Sequence, residues 1–313
     1  MTQPLFAKIA DYSRSYGLAA TVDSGWRNLA LLRQSYWAYL PDARERARRW
    51  PTLSPSVLVL SLPRSGSSWV GDVLGSGEAL YLREPVTQSY RREVPGTATV
   101  IPIDAQSPDP VYKRFADLAF AGIPRFTASI VDAADNWSLD ARTGRRLVIK
   151  EVNPLACAWY IEAYRPRIVF LLRHPAAVAL SYRKLGWEQL DQDRTVAWEA
   201  FGRRQSFALR EAHRALSVYD DKCFVDYDDL CRNPVEGFRA LFGFAGLTLS
   251  SAIENGIRRR SAGGDRSDTY GTSRDSASMI DSWRKRVAEP ELRALRAGFA
   301  SYDLPWFQDD RRW

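Results

Sequence analysis

The sequence predicts a three-layer α/β fold, a central parallel sheet between helices with a helical and irregular cover. Three observations lead to it. Five short, mainly apolar runs, Val57–Leu60, Ala79–Leu82, Leu147–Ile149, Arg167–Leu172 and Cys223–Asp226, lack polar alternation, as strands buried on both faces do. Helix-like stretches separate them, and strands alternating with helices favour a parallel sheet. The first run enters a Gly-containing turn, Ser61–Ser67, and then a helix, Ser68–Leu74, so turn amides and a helix N-terminus converge on one point.

Residues 1–50 read as a helical segment in pieces, with Trp26, Leu29, Leu31, Leu32, Tyr36, Trp37 and Leu40 at helix-like spacing. Asp42–Arg49 is a short basic helix with a solvated face. Pro51 and Pro55 mark a linker, and residues 51–313 form the main domain. The second strand ends at Arg83-Glu84-Pro85. Residues 86–145, rich in Pro, Arg, Asp and Gly, read as an irregular insertion with short helices that covers the ligand. After the fourth strand a helix runs from Pro175 to about Tyr182, with proline at the permitted first position. Further helices are expected near 234–245 and 285–300, and the Gly/Ser/Asp-rich stretch 261–278 as a mobile loop.

Composition narrows the function. Apolar residues make up 45% and charged residues 26%, which excludes a disordered, collagen-like or disulfide-stapled chain. The net charge is +7, and of 44 cations 38 are arginine, whose forked guanidinium suits carboxylate, phosphate or sulfate. Three cysteines and two histidines occur without CxxC or paired Cys/His spacing, so no metal site is expected. Cys223 and Cys231 are expected to pack as small apolar groups. No apolar run approaches ~18 residues, and the N-terminus lacks an apolar run followed by a small-residue cleavage site. A cytoplasmic location is the expectation.

The strongest signal is Leu62-Pro-Arg-Ser-Gly-Ser-Ser-Trp69 after a buried strand. Against the nucleoside-triphosphatase pattern G-x-x-x-x-G-K-[ST], aligned on Gly66, Ser61 replaces the first glycine and Ser67 replaces the lysine. The cation, Arg64, stands two residues before the glycine instead. The loop should grip a phosphate-like anion through Arg64, Ser65, Gly66, Ser67 and Ser68, but without the lysine that reaches a triphosphate terminus. A second segment, Arg173-His-Pro-Ala-Ala-Val-Ala-Leu-Ser181, places an arginine at a strand end and a serine on the next helix. Two separated anion sites describe a nucleotide with phosphates at both ends.

These residues resemble the sulfotransferases that use 3′-phosphoadenosine 5′-phosphosulfate (PAPS). Pro63–Trp69 is similar to their 5′-phosphosulfate loop, and Arg173 to Ser181 to their 3′-phosphate segment. Arg64-Ser-Gly-Ser-Ser68 with Tyr81-Leu-Arg-Glu-Pro85 resembles the carbohydrate branch in particular, and Val225–Leu230 is similar to a strand-end segment of the family. The resemblance runs from about residue 57 to 290, leaving the middle cover unmatched. It implies a P-loop NTPase-like fold, PAPS as donor, and a hydroxyl acceptor on a glycan or small molecule. It further implies that Trp69 stacks on adenine, that Tyr227 lies near the nucleotide, and that Lys150 is a second conserved cation.

Sulfuryl transfer needs an aligned acceptor oxygen, a base for its proton and cations for the leaving phosphate. Arg64 and Lys150 are the expected cations. Cytosolic members place a histidine two residues after the lysine, where this chain has Val152, so a carboxylate must serve. The resemblance makes Glu84 the expected base, since it lies at the end of the second strand, close to where the carbohydrate and tyrosyl-protein branches carry a catalytic glutamate; Glu151 is the competitor but neighbours Lys150 on a strand and points to the opposite face. No metal is required in this scheme. The cytosolic R-K-G loop that grips the 3′-phosphate is replaced by Ser276-Ala-Ser278 before Trp283, leaving Arg258, Arg259, Arg260 or Arg274 as substitutes. Two other readings compete: a P-loop kinase or nucleotide hydrolase, and a non-catalytic polyanion-binding module. Nucleic acid is not the expected partner. Residues 86–145 and 188–215 are expected to line the acceptor pocket.

Overall fold

A computed structural model of the chain describes residues 18–190, 194–261 and 280–313. Five strands form one sheet: β1 (Leu53–Ser61), β2 (Leu80–Arg83), β3 (Arg146–Glu151), β4 (Arg167–Leu172) and β5 (Lys222–Asp226). Their order is β2-β3-β1-β4-β5, and every pairing is parallel. The chain leaves β1 at the sheet centre and reaches β3 on one side and β4 on the other. That is the topological switch point, where open α/β sheets hold ligands at the carboxyl ends of their strands.

The absence of polar alternation has a direct cause in the packing. Leu58, Leu60, Ile149 and Phe170 face one apolar cluster with Tyr112, Trp159 and Ala208. Val57, Val59, Val148 and Val169 face another with Trp69, Val73 and Phe238. Both faces are buried, which gives the three layers. A third cluster joins Val178, Trp198, Phe201, Trp283 and Leu295.

The expected strands all form, Arg167–Leu172 at its expected bounds and the other four with shifted ends. β1 begins at Leu53, so Pro55 lies inside a strand and the linker expected at Pro51 and Pro55 is corrected. Leu53 already pairs with Arg146, and the register shifts between Leu53 and Val57. Proline is tolerated in a strand at such an irregularity. β3 runs two residues beyond the expected Ile149 and takes in Lys150 and Glu151. Residues 85–145 hold three helices, Pro85–Glu93, Pro110–Phe120 and Leu139–Arg142. The helix expected over 285–300 spans Glu289–Phe299. The stretch expected as a mobile loop lies, apart from Ser261, outside the described residues, as do Arg274 and Ser276–Ser278.

The described part of the N-terminal segment, residues 18–50, packs on the main body. Trp37, Ala38 and Ala47 share a cluster with Ile123, and Leu31 joins the large core. Arg142, buried, donates to the carbonyls of Ala47 and Ala121. The basic helix, Ala43–Arg49, keeps its cations on the outer face and buries only Ala43 and Ala47. Cys231 is buried, Cys223 is half-buried, and neither forms a disulfide. No helix among the described residues is long and apolar enough to cross a membrane.

A helix of 24 residues, Arg194–Ser217, crosses Glu289–Phe299 at two glycines. A Cβ on Gly202 would stand 2.2 Å from the Leu295 carbonyl oxygen, and one on Gly298 would stand 1.9 Å from that of Glu199. Backbone cannot yield as a side-chain tip can, so Gly298→Ala must push the helices apart. We expect it to lower stability by about 2 kcal/mol or more in urea unfolding; an unchanged midpoint and slope would contradict this packing.

Candidate active site

The loop Leu62–Gly66 rises from the end of β1, and the helix Ser67–Leu74 follows it. Gly66 stands at the helix N-cap with φ +94°, in the left-handed region, and no side chain caps the first turn. The uncapped N–H groups and the helix dipole make this an anion-binding end. A Cβ at Gly66 would lie 2.3 Å from the Tyr227 ring, so glycine is required both for its φ and for this close approach. Ser61 and Ser67 are buried and share a hydrogen bond of 2.9 Å, which ties the strand end to the helix start. Ser65 is also buried, whereas Ser68 is half-buried.

Arg64 has φ +68°, unusual for a residue with a side chain. Two contacts hold it there. Its Nε donates to Ser181 Oγ at 2.8 Å, and Arg173 Nη1 donates to its carbonyl oxygen at 2.9 Å. The Arg173 guanidinium carbon lies 4.5 Å from the centroid of the Tyr227 ring. The two segments expected as separate anion sites therefore touch. Arg64, Gly66, Arg173, Ser181 and Tyr227 meet at the carboxyl ends of β1, β4 and β5. The Nε of Arg173 is buried and has no hydrogen-bond partner among the described residues. A buried cationic N–H without an acceptor, beside an uncapped helix end, fits an anionic ligand group.

Trp69 sits deeper. It is buried edge-on against Phe238 (5.0 Å) and Tyr227 (6.2 Å), in the core beneath the loop. Its contacts are those of a packing residue rather than of an open platform for adenine. His174, next to Arg173, caps the helix Pro175–Lys184 by accepting from the Ala176 amide at 3.2 Å. It stacks on Trp283 at 4.1 Å. Burial, with Arg312 and Arg284 adding, lowers its pKa to about 3, so it is neutral, and it is buried away from solvent against Trp283. The C-terminal segment thus closes over the strand ends. Of the expected substitute cations there, Arg258 is paired with Glu254 at 2.6 Å.

On the other side of β1, Lys150 lies opposite Val59 in register, near the loop. Its side chain is 3% exposed and its ammonium donates to the Glu84 carboxylate, which is 24% exposed. Glu84 also has a left-handed φ, +50°, fixed by its amide donating to the Lys150 carbonyl at 2.7 Å. Arg64 and Glu84 are thus both held in a sparsely populated backbone region that persists only where the surroundings over-determine it.

Glu151 leaves β3 on the opposite face from Lys150. It is fully buried and accepts from the Val86 amide at 2.7 Å and the Thr87 hydroxyl at 2.5 Å. It caps the helix Pro85–Glu93. Burial raises its pKa to about 7, against the lowering bonds from Thr87 and Val86. Of the two carboxylates the sequence leaves in competition, only Glu84 reaches solvent.

A cavity of about 530 Å³ opens beside Leu62, lined from 86–145 by Arg91, Thr99 and Val100, and from 188–215 by Phe201, Gln205 and Phe207. Tyr182, Trp187 and Leu155 complete it. Burial pushes the Tyr182 phenol up, with Glu188 and Glu84 adding and Arg64 and Arg204 opposing, so this wall stands within electrostatic reach of the loop and of Glu84. Sequence reasoning named these segments but not Tyr182, Trp187 or Gln205. The signal available was the spacing of Trp198, Phe201, Gln205, Ala208 and Ala212, three or four residues apart. Among the described residues no group of three or more His, Cys, Asp or Glu is placed to hold a metal ion.

A profile described as the sulfotransferase family matches residues 55–251. Mouse carbohydrate sulfotransferase 3 is 34% identical over 137 residues, covering 38% of this chain and 28% of that protein. Mouse carbohydrate sulfotransferase 5 is 28% identical over 151 residues, covering 42% and 38%. The chain thus matches well under half the length of these curated relatives. Among solved structures, the sulfotransferase domain of the Synechococcus PCC 7002 olefin synthase overlays with a TM-score of 0.48 at 20% identity, covering 81% of this chain and 97% of that domain.

Proposed function

This chain belongs to the sulfotransferase family, and we propose that it moves a sulfuryl group from PAPS to a hydroxyl acceptor, a carbohydrate or glycosylated metabolite. The observation that carries this reading is the meeting of Arg64, Arg173 and Ser181 at an uncapped helix N-terminus that lacks the loop lysine of a triphosphatase. Arg64, the serines Ser65, Ser67 and Ser68, and the amides at Gly66 hold the 5′ end. Arg173 and Ser181, with Tyr227 against them, hold the 3′ end. When bound, the donor supplies a sulfur activated by a phosphate leaving group.

The residues of this chain then divide the work. Glu84 takes the proton of the acceptor hydroxyl as that oxygen forms its bond to sulfur. The bond from sulfur to the phosphate oxygen breaks, and the charge left on that oxygen is met by Arg64, Lys150 and the loop amides. Lys150, buried against Glu84, holds the carboxylate in place by donating to it. The carbohydrate part of the reading is supported by the curated relatives and by Arg64–Ser68 with Tyr81–Pro85.

Calorimetric titration separates this reading from its competitors. Adenosine 3′,5′-bisphosphate should bind without a divalent cation and far more tightly than ATP–Mg. Incubation with PAPS and an acceptor extract should then yield a product heavier by one SO₃ group. Preference for ATP–Mg would favour a kinase. Polyanion binding that collapses with salt, without a nucleotide requirement, would favour a non-catalytic module.

A further inference from the structure

We infer that the outward side of the helix Leu18–Ser35 is an interface between two copies of this chain, which pair antiparallel about a two-fold axis at Leu29. The inference does not depend on the sulfuryl-transfer reading. Three observations carry it.

The first is that this helix is inside out. A surface helix normally turns its apolar side to the core. Here the side packed on the body is largely polar. Ser35 is buried and donates to the Leu31 carbonyl at 2.7 Å, Asn28 accepts from the Ala128 amide at 2.9 Å, and Gln34 accepts from the Trp137 amide at 3.3 Å. The outward side carries Val22, Trp26, Leu29 and Leu32, and Tyr36 extends it into the next turn. Trp26 is 68% exposed, Leu29 59% and Tyr36 63%. A contiguous apolar stripe marks an interaction surface. The second observation is its size. These exposed side chains amount to roughly 600 Å², near the ~800 Å² that each partner contributes to a standard protein interface. Charge argues against a lipid surface, because an interfacial helix has a strongly basic polar side. The charges of this helix are Asp23, Arg27 and Arg33, and the first two pair with each other at 2.6 Å.

The third observation is that the stripe complements itself. It runs in seven-residue rows, Val22, Leu29 and Tyr36 down the middle, Trp26 and Arg33 on one side, Gly25 and Leu32 on the other. A two-fold axis at Leu29 sets each side row against the same row of the second copy, running the opposite way. Arg33 then lies beside Trp26 of the partner subunit, cation over ring. Leu32 of the partner subunit lies beside Gly25, where an added Cβ would meet nothing within 4 Å, so the space is open. In the middle row the small Val22 meets the large Tyr36 of the partner subunit. Parallel pairing would instead put Arg33 against leucine. An isologous contact needs this self-complementarity, whereas an unrelated partner would not.

Sedimentation velocity of the full chain should show a dimer that dissociates on dilution, with a dissociation constant of about 10 μM or tighter, as interfaces of this size reach. Leu29→Asp sets two carboxylates against each other on the axis and should raise that constant at least ~100-fold. Binding of adenosine 3′,5′-bisphosphate should be unchanged in this variant. Under mild oxidation, beside a wild-type control, Leu29→Cys should give a covalent dimer, because two cysteines on the axis come within the ~6 Å Cα separation of a disulfide. Arg27→Cys, on the side of the helix turned from the stripe, should not. A wild type that stays monomeric at ~100 μM overturns the proposal. A monomer that binds anionic vesicles overturns it as well and gives the stripe to a lipid surface. So does a dimer indifferent to Leu29→Asp, or one that crosslinks as readily through Arg27→Cys.

Discussion

Glu84→Gln is expected to lower kcat by about 10³-fold, the usual worth of a positioned general base, and to leave the affinity for adenosine 3′,5′-bisphosphate unchanged. Glutamine is the informative replacement. It keeps the length of the side chain and an oxygen for the Lys150 ammonium, so the contact that ties β2 to β3 persists. The left-handed backbone at Glu84 is held by the Lys150 carbonyl, which the substitution does not touch. What is lost is the negative charge, and with it both the ability to accept a proton and the counter-charge of Lys150, so urea unfolding of the variant is read beside its rates. Glu84→Ala would also strip the partner from a lysine 3% exposed, and an uncompensated buried charge costs about 3–5 kcal/mol. Its effect would mix folding with chemistry. The readouts are single-turnover rates with PAPS and nucleotide titration. A kcat that stays near the wild-type value rejects Glu84 as the base.

The parts of this site that sequence reveals are those where local pattern and chemistry coincide. Val57–Leu60 followed by Arg64-Ser-Gly-Ser-Ser68 is legible because a doubly buried strand and a Gly turn leave separate marks on the sequence. Arg167–Leu172 falls at the observed bounds of β4 for the same reason. β3 is harder. A strand ending in lysine and glutamate looks finished at Ile149, yet it continues because each charge finds a partner outside the strand, Lys150 at Glu84 and Glu151 at Thr87. Such partners lie 66 and 64 residues away, and no local window contains them. The same holds for Arg173. Its strand-end position is visible in the sequence, whereas its grip on the Arg64 carbonyl exists only once β1 and β4 are neighbours. Trp69 is the opposite case. A tryptophan after a phosphate-type loop suggests a stacking platform, but its place three residues into the helix turns it toward Phe238 and the core.

Glu151→Gln should make the protein more stable at pH 8 than the wild type, relative to the difference between them at pH 4. The reason is the balance at the cap of the helix Pro85–Glu93. The helix dipole, the Val86 amide and the Thr87 hydroxyl favour a carboxylate there. Complete burial, with Glu84 nearby, opposes it more strongly, so the folded pKa stands at about 7 against an ordinary 4.5. The folded protein therefore holds this proton where the unfolded chain has released it. Stability contributed by the group is whole below pH 4.5 and is lost as pH rises towards 7. At ~1.4 kcal/mol per pH unit the loss approaches about 3 kcal/mol. Glutamine accepts from the Val86 amide through its oxygen and offers its amide to Thr87, with no proton to lose. His174, held at about 3 by burial, slopes the opposite way, gaining stability as pH rises through its window. Absolute stability curves would therefore hide both groups, and the difference between wild type and variant is the quantity to measure. Urea unfolding at pH 4, 5, 6, 7 and 8 supplies it. A difference that stays flat across that range would mean that folding leaves the Glu151 pKa at its unfolded value, the cap offsetting the burial.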